Sequence, residues 1–83
     1  MKDYTFYQEF ADKSKSQPTG NCIAVFGPTS NHSREAIAGI YETANSPCSS
    51  CGVSVEHLKT KCKRVTEEKA RRYHPKLFNY LEQ

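Results

Sequence analysis

No run of apolar side chains in this sequence exceeds five residues; the longest is Cys22 to Phe26. A helix that crosses a bilayer needs about 20 in succession, so no helical span and no membrane partner is expected. The first thirteen residues, MKDYTFYQEFADK, carry charges and tyrosines where a signal peptide has an unbroken apolar core. A cytoplasmic chain follows as the expectation. In that reducing setting cysteines are expected to be thiols, metal ligands or catalytic groups rather than structural disulfides. The sequence also lacks an internal repeat, a low-complexity stretch, a P-loop, a G-x-G-x-x-G and an H-E-x-x-H. No Ser or Cys nucleophile stands in a recognisable catalytic setting beside a histidine, so the sequence reads as a non-enzymatic protein.

What is present suits one small domain, residues 1–83. Hydrophobic residues make up 36%, with five Tyr and four Phe, a content above that of disordered chains. A domain of this size buries only about 60–65% of the surface of its unfolded chain, so its stability margin is thin. Charge is unevenly placed. Residues 1–53 carry four Lys/Arg against five Asp/Glu, whereas residues 54–83 carry eight against four. The basic second part predicts either an anionic partner or a solvated helical face.

The pattern of apolar positions predicts strands first and helices second. Tyr4, Phe6 and Phe10 lie on one alternating face and, with their Tyr/Thr/Phe surroundings, predict a strand. The polar run from Asp12 to Asn21 predicts a loop, with the reversal at Thr19-Gly20-Asn21. Cys22 to Phe26 predicts a buried strand bounded by turn residues. Residues 34–44 fit both a helix and a strand; Gly39, which costs a helix about 1 kcal/mol relative to Ala, tips the reading to a strand. Ser54 is a helix N-cap, and Val55, Leu58, Cys62 and Val65 form one helical stripe. Thr66, followed by Glu67 and Glu68, marks a second helix start, and His74-Pro75 a break before a last helix whose Leu77, Phe78 and Leu81 face the core. The expected architecture is α+β: a small antiparallel sheet of two or three strands within residues 4–42, then two or three short helices within 54–82 packed on one face of it.

Chemistry concentrates in residues 45–64, which hold three of the four cysteines. Cys48-Ser49-Ser50-Cys51, read as a tight turn with Gly52 leaving it, places two sulfurs for a tetrahedral zinc ion. Zinc needs two further ligands. Cys62 and His57 are the first candidates, Cys22 a substitute, with His74 and His32 behind them. No second close pair is present, and Cys62 and Cys22 read equally well as small core hydrophobes. A thiol redox role fits less, because Gly52 and Val53 fall where a helix should follow the second cysteine.

The other feature is basic. Between Lys59 and Lys76 eight positive residues face two negative ones, a density able to contact several phosphates if the side chains share a face. Lys59, Lys63, Arg64, Arg71 and Arg72 are the candidate contacts, with nucleic acid or an acidic protein as partner. The sequence thus points to a binding or regulatory module acting through basic C-terminal helices, with a zinc-stabilised domain on Cys48 and Cys51 as the alternative.

Overall fold

The structure, a computed structural model, describes the backbone of residues 3–27, 35–42 and 47–82. Five strands and three helices follow in the order β1 (Tyr4–Phe10), β2 (Pro18–Phe26), β3 (Ala36–Glu42), β4 (Pro47–Ser54), α1 (Val55–Lys61), β5 (Cys62–Val65), α2 (Glu67–Tyr73) and α3 (Pro75–Leu81). All pairings are antiparallel and the sheet order is β4-β3-β2-β1-β5. The first four strands form a meander. The chain then passes through α1 and adds β5 to the other side of β1. The α+β class, strands first and helices last, is as expected; β4 and β5 are additions to it.

Register explains how the sheet buries itself. Phe6 lies opposite Ala24 on one side and Val65 on the other, and Gln8 opposite Cys22. Phe6, Cys22 and Ala24 form one core with Ala70, Leu77 and Phe78 from α2 and α3. The alternate residues Ile23, Val25 and Val53 face the other way and pack with Leu58 of α1 and with Cys62. Side chains alternate between faces along a strand, so the period of two in CIAVF serves two cores rather than one. Helices therefore cover both faces of the sheet, not the single face expected.

Helix starts are local events and follow the sequence closely. The Ser54 hydroxyl accepts from the His57 N–H at 3.4 Å and the Thr66 hydroxyl from the Lys69 N–H at 3.2 Å, each satisfying a donor that a first turn leaves open. Pro75 opens α3, and His74 closes α2 with its N–H on the Ala70 carbonyl at 2.7 Å. The stripe Val55-Leu58-Cys62-Val65 needs correction. Only Val55 and Leu58 are helical; at Cys62 the backbone turns extended (φ −126°, ψ 153°). Cys62 then packs in the α1 core and Val65 in the opposite one. The open hydrogen-bonding edge of β1 has recruited these residues as a strand, tertiary pairing overriding helical spacing. For the same reason α1 and α2 do not form a helix-turn-helix.

The reversal between β1 and β2 also differs from expectation. Residues 19–21 belong to β2, and the turn is made around Asp12. Its carboxylate accepts from the Ser16 and Gln17 backbone N–H groups, both at 3.2 Å, and from the Ser14 and Ser16 hydroxyls. The Ser14 and Ser16 bonds chiefly hold the Asp12 carboxyl down at about 2. Lys15 takes the left-handed conformation (φ 57°) that closes the loop.

Gly39 has a role the sequence does not disclose. A Cβ at this position would lie 2.5 Å from Val53 Cγ2 and 3.2 Å from Ile23 Cγ2, so the strand accepts only hydrogen there. Gly39→Ala is expected to destabilise the fold by about 2 kcal/mol through overpacking. Val53→Ala introduced into the same chain should recover part of that loss in a denaturant titration. Independent, additive losses would contradict the close approach.

Candidate functional site

The β1–β2 ladder is irregular between Gln8 and Phe10: Gln8 pairs with Cys22, but Phe10 pairs with Pro18. Three residues of β2 stand opposite Glu9 alone, and the backbone groups there need other partners. Gln8 supplies them. Its Nε2 donates to the carbonyls of Thr19 (2.8 Å), Glu9 (3.0 Å) and Asn21 (3.1 Å). This fixes the amide orientation, so Oε1 is left as an acceptor and the imidazole of buried His74, whose Nε2 lies 2.7 Å away, must donate to it. The bulge is thereby tied to the junction of α2 and α3.

Glu9 is the second anchor of the bulge. Its carboxylate accepts from Asn21 Nδ2 at 2.9 Å and the Thr19 hydroxyl at 3.1 Å, and meets His57 Nε2 at 2.9 Å. Burial pushes the Glu9 carboxyl up, but the bonds from Asn21, His57 and Thr19 together outweigh it and hold it below the ordinary 4.5. A carboxyl depressed in the folded state contributes stability above its unfolded value and loses it as pH falls through its folded value. The melting temperature is therefore expected to fall on acidification through and below the 4.5 region, and less steeply in Glu9→Gln. A wild type and variant whose difference in melting temperature stays constant between about pH 3 and pH 7 would contradict this.

Beside the bulge, a groove of about 660 Å³ runs between β5 and α2. Gln8, Thr19, Gly20 and His74 line its end, and Phe10, Pro18, Val65 and Ala70 give it apolar walls. Its charged lining comprises Lys63 from β5 and Lys69 from α2; Arg64 borders it, but its side chain alternates to the face of Tyr7, its partner across the strands. Among the described residues no carboxylate lines the groove, and none pairs with these two lysines. Tyr73, one turn beyond Lys69 on α2, completes it.

The structure thus separates the basic residues that the sequence grouped. Arg64, opposite Tyr7, is on the α1 face of the sheet, and of the two β5 cations Lys63 reaches the groove. Lys59 does not: it sits on α1, over the other face, where its carbonyl accepts from Lys15 Nζ at 3.1 Å. Arg71 bonds Glu67 and Glu82 and stacks 4.4 Å above the Phe78 ring, while Arg72 pairs with Glu68 at 3.7 Å. Both arginines serve α2 and α3 rather than the groove. Lys69 and Tyr73, not selected from sequence, belong to it; their i, i+4 spacing after the Thr66 cap is the signal that finds them.

The candidate zinc ligands come from separate elements. Cys48 and Cys51 lie in strand β4, not in a turn, paired with Tyr41 and Gly39 across an irregular register; their side chains lie outside the described residues, as does His32. Cys48 and Cys51 belong to β4 and Cys62 to β5, the two edge strands of the sheet. Cys62 is a buried thiol pushed up to about 11 by burial and by the Glu9 carboxylate, which disfavours the thiolate that a metal or redox role requires. His57 is engaged by Glu9. Cys22 is buried on the other face, since Gln8 pairs with Cys22 and the adjacent Glu9 with Cys62. Among the described residues no group of three or more His, Cys, Asp or Glu converges to hold a metal.

Among the described residues no helix is long and apolar enough to cross a membrane. No protein-family model, no characterised protein and no solved structure matches this chain.

Proposed function

We propose that this protein is a non-enzymatic binding module that holds an anionic partner, foremost a nucleic acid, in the groove between β5 and α2. The observation that supports it is the convergence of Lys63 and Lys69 on one groove whose described lining contains no carboxylate. Cations balanced by neighbouring carboxylates, as Arg71 and Arg72 are, gain little from a further anion. Two cations without such neighbours gain a full counter-charge. The bulge and the Gln8–His74 contact hold the groove walls in place, so little ordering is required when a ligand enters.

Two phosphate contacts predict a salt dependence with a slope of about −1.4 for log K against log salt on a single strand. Affinity for a labelled oligonucleotide is then expected to fall about 7-fold between 50 and 200 mM salt. Lys63→Ala and Lys69→Ala should each lower the slope by about 0.7. Lys59→Ala and Lys61→Ala, on α1, serve as controls and should leave it unchanged. Fluorescence anisotropy across a salt series measures this. Binding that ignores Lys63 and Lys69, or no binding of oligonucleotides or acidic polypeptides at low salt, would remove the groove as the site.

A further inference from the structure

Resting on that reading of the groove, we infer that its partner is a single-stranded nucleic acid, one base of which stacks on the Tyr73 ring while flanking phosphates lie along Lys69 and Lys63. Among the described residues Tyr73 and Phe26 are the large hydrophobic residues left most exposed, at 64% and 60%. Phe26 packs edge-on against Tyr4, with ring centroids 5.7 Å apart. For Tyr73, among the described residues, no ring or cation covers the face. An aromatic plane left open beside cations that lack carboxylate partners is the combination that single strands use: stacking for the base, charge for the backbone.

The groove discriminates among anions by the rest of its lining. Phe10, Pro18 and Val65 offer apolar surface between the cations, which suits a flat base and leaves the carboxylates of an acidic peptide only the lysines. A duplex has its base faces already stacked and could use the charges but not the ring. Lys69 and Tyr73 are one helical turn apart on the same side of α2, about 6 Å along the axis. That is comparable to the spacing of successive phosphates on an extended strand, so a phosphate on Lys69 brings a neighbouring base to the ring.

Three labelled or competing probes test this at one salt concentration: a thymidine oligonucleotide, an abasic oligonucleotide with the same number of phosphates, and poly-glutamate. The thymidine strand is expected to bind about 5- to 100-fold more tightly than the abasic one. Tyr73→Ala should erase that ratio while leaving abasic binding intact, and Tyr73→Phe or Tyr73→Trp should keep it. Tyr73 is exposed, so these variants are expected to melt with the wild type, which circular dichroism checks. If the thymidine and abasic strands bind alike, or if Tyr73→Ala weakens both equally, base stacking is wrong while the basic groove stands. If none of the three probes binds, the groove reading fails with it.

Discussion

Phe6→Ala is expected to cost about 4 kcal/mol, the largest loss of any single truncation considered for this chain. Phe6 is 3% exposed and occupies the middle of β1, the one strand that pairs with both the meander and β5. Its ring lies 4.9 Å from that of Phe78, at 37°, and this contact joins the sheet to α3. Truncation removes the area that the ring buries, the aromatic pair and the support of Leu77 and Ala70 in the same core. At about 0.05–0.15 kcal/mol per residue a folded chain of this length has a total stability of roughly 4–12 kcal/mol, so the variant is expected to lose between about a third and all of it. Urea titration with near-UV circular dichroism measures it, and Phe6→Leu, which keeps most of the volume, should retain a cooperative transition. A loss below about 1 kcal/mol for Phe6→Ala would mean that α3 does not depend on this ring.

Ile23→Ala is expected to cost about 3 kcal/mol on the opposite face. Ile23 is fully buried among Val25, Val53, Leu58 and Cys62, and Gly39 approaches closely enough that the pocket cannot collapse around a smaller side chain without moving β3. Ile23→Val, which removes one methylene, should cost about 1 kcal/mol. Because Phe6 and Ile23 serve cores separated by the sheet, the conservative pair Phe6→Leu and Ile23→Val is expected to add within about 0.5 kcal/mol in a double-mutant cycle. Strong coupling would indicate one continuous core in place of two.

Legibility in the sequence followed the range of the interactions. Ser54, Thr66 and Pro75 act within one turn of themselves, and all three helix starts were readable. The strands Tyr4–Phe10 and Pro18–Phe26 were readable in their apolar parts, but the beginning of β2 was hidden because Pro18, Thr19 and Gly20 resemble turn residues. Here Asp12 makes the turn, and the resulting bulge is held by Gln8. β5 was concealed twice: Cys62 and Val65 also satisfy helical spacing, and what makes them extended is β1, more than fifty residues earlier. β4, with Ser, Cys and Gly in place of β-branched residues, has little intrinsic strand preference and is fixed by its pairing with β3. The groove draws on residues 8–10, 18–20 and 63–74. Their charges were visible in the sequence; their convergence depends on the sheet order.

That order also bears on how the chain is made. β1 emerges from the ribosome first, and its second neighbour, β5, more than fifty residues later. Until Cys62–Val65 has been synthesised, one side of β1 remains an unpaired edge carrying Phe6 and Tyr7. Unpaired apolar edges are where nascent and partly folded chains associate wrongly. Closing that edge is a long-range step, and such steps are slow relative to hairpin formation. The four residues of β5 therefore act late in folding, as the piece that ends the exposure of the N-terminal strand, and the same event creates one wall of the groove.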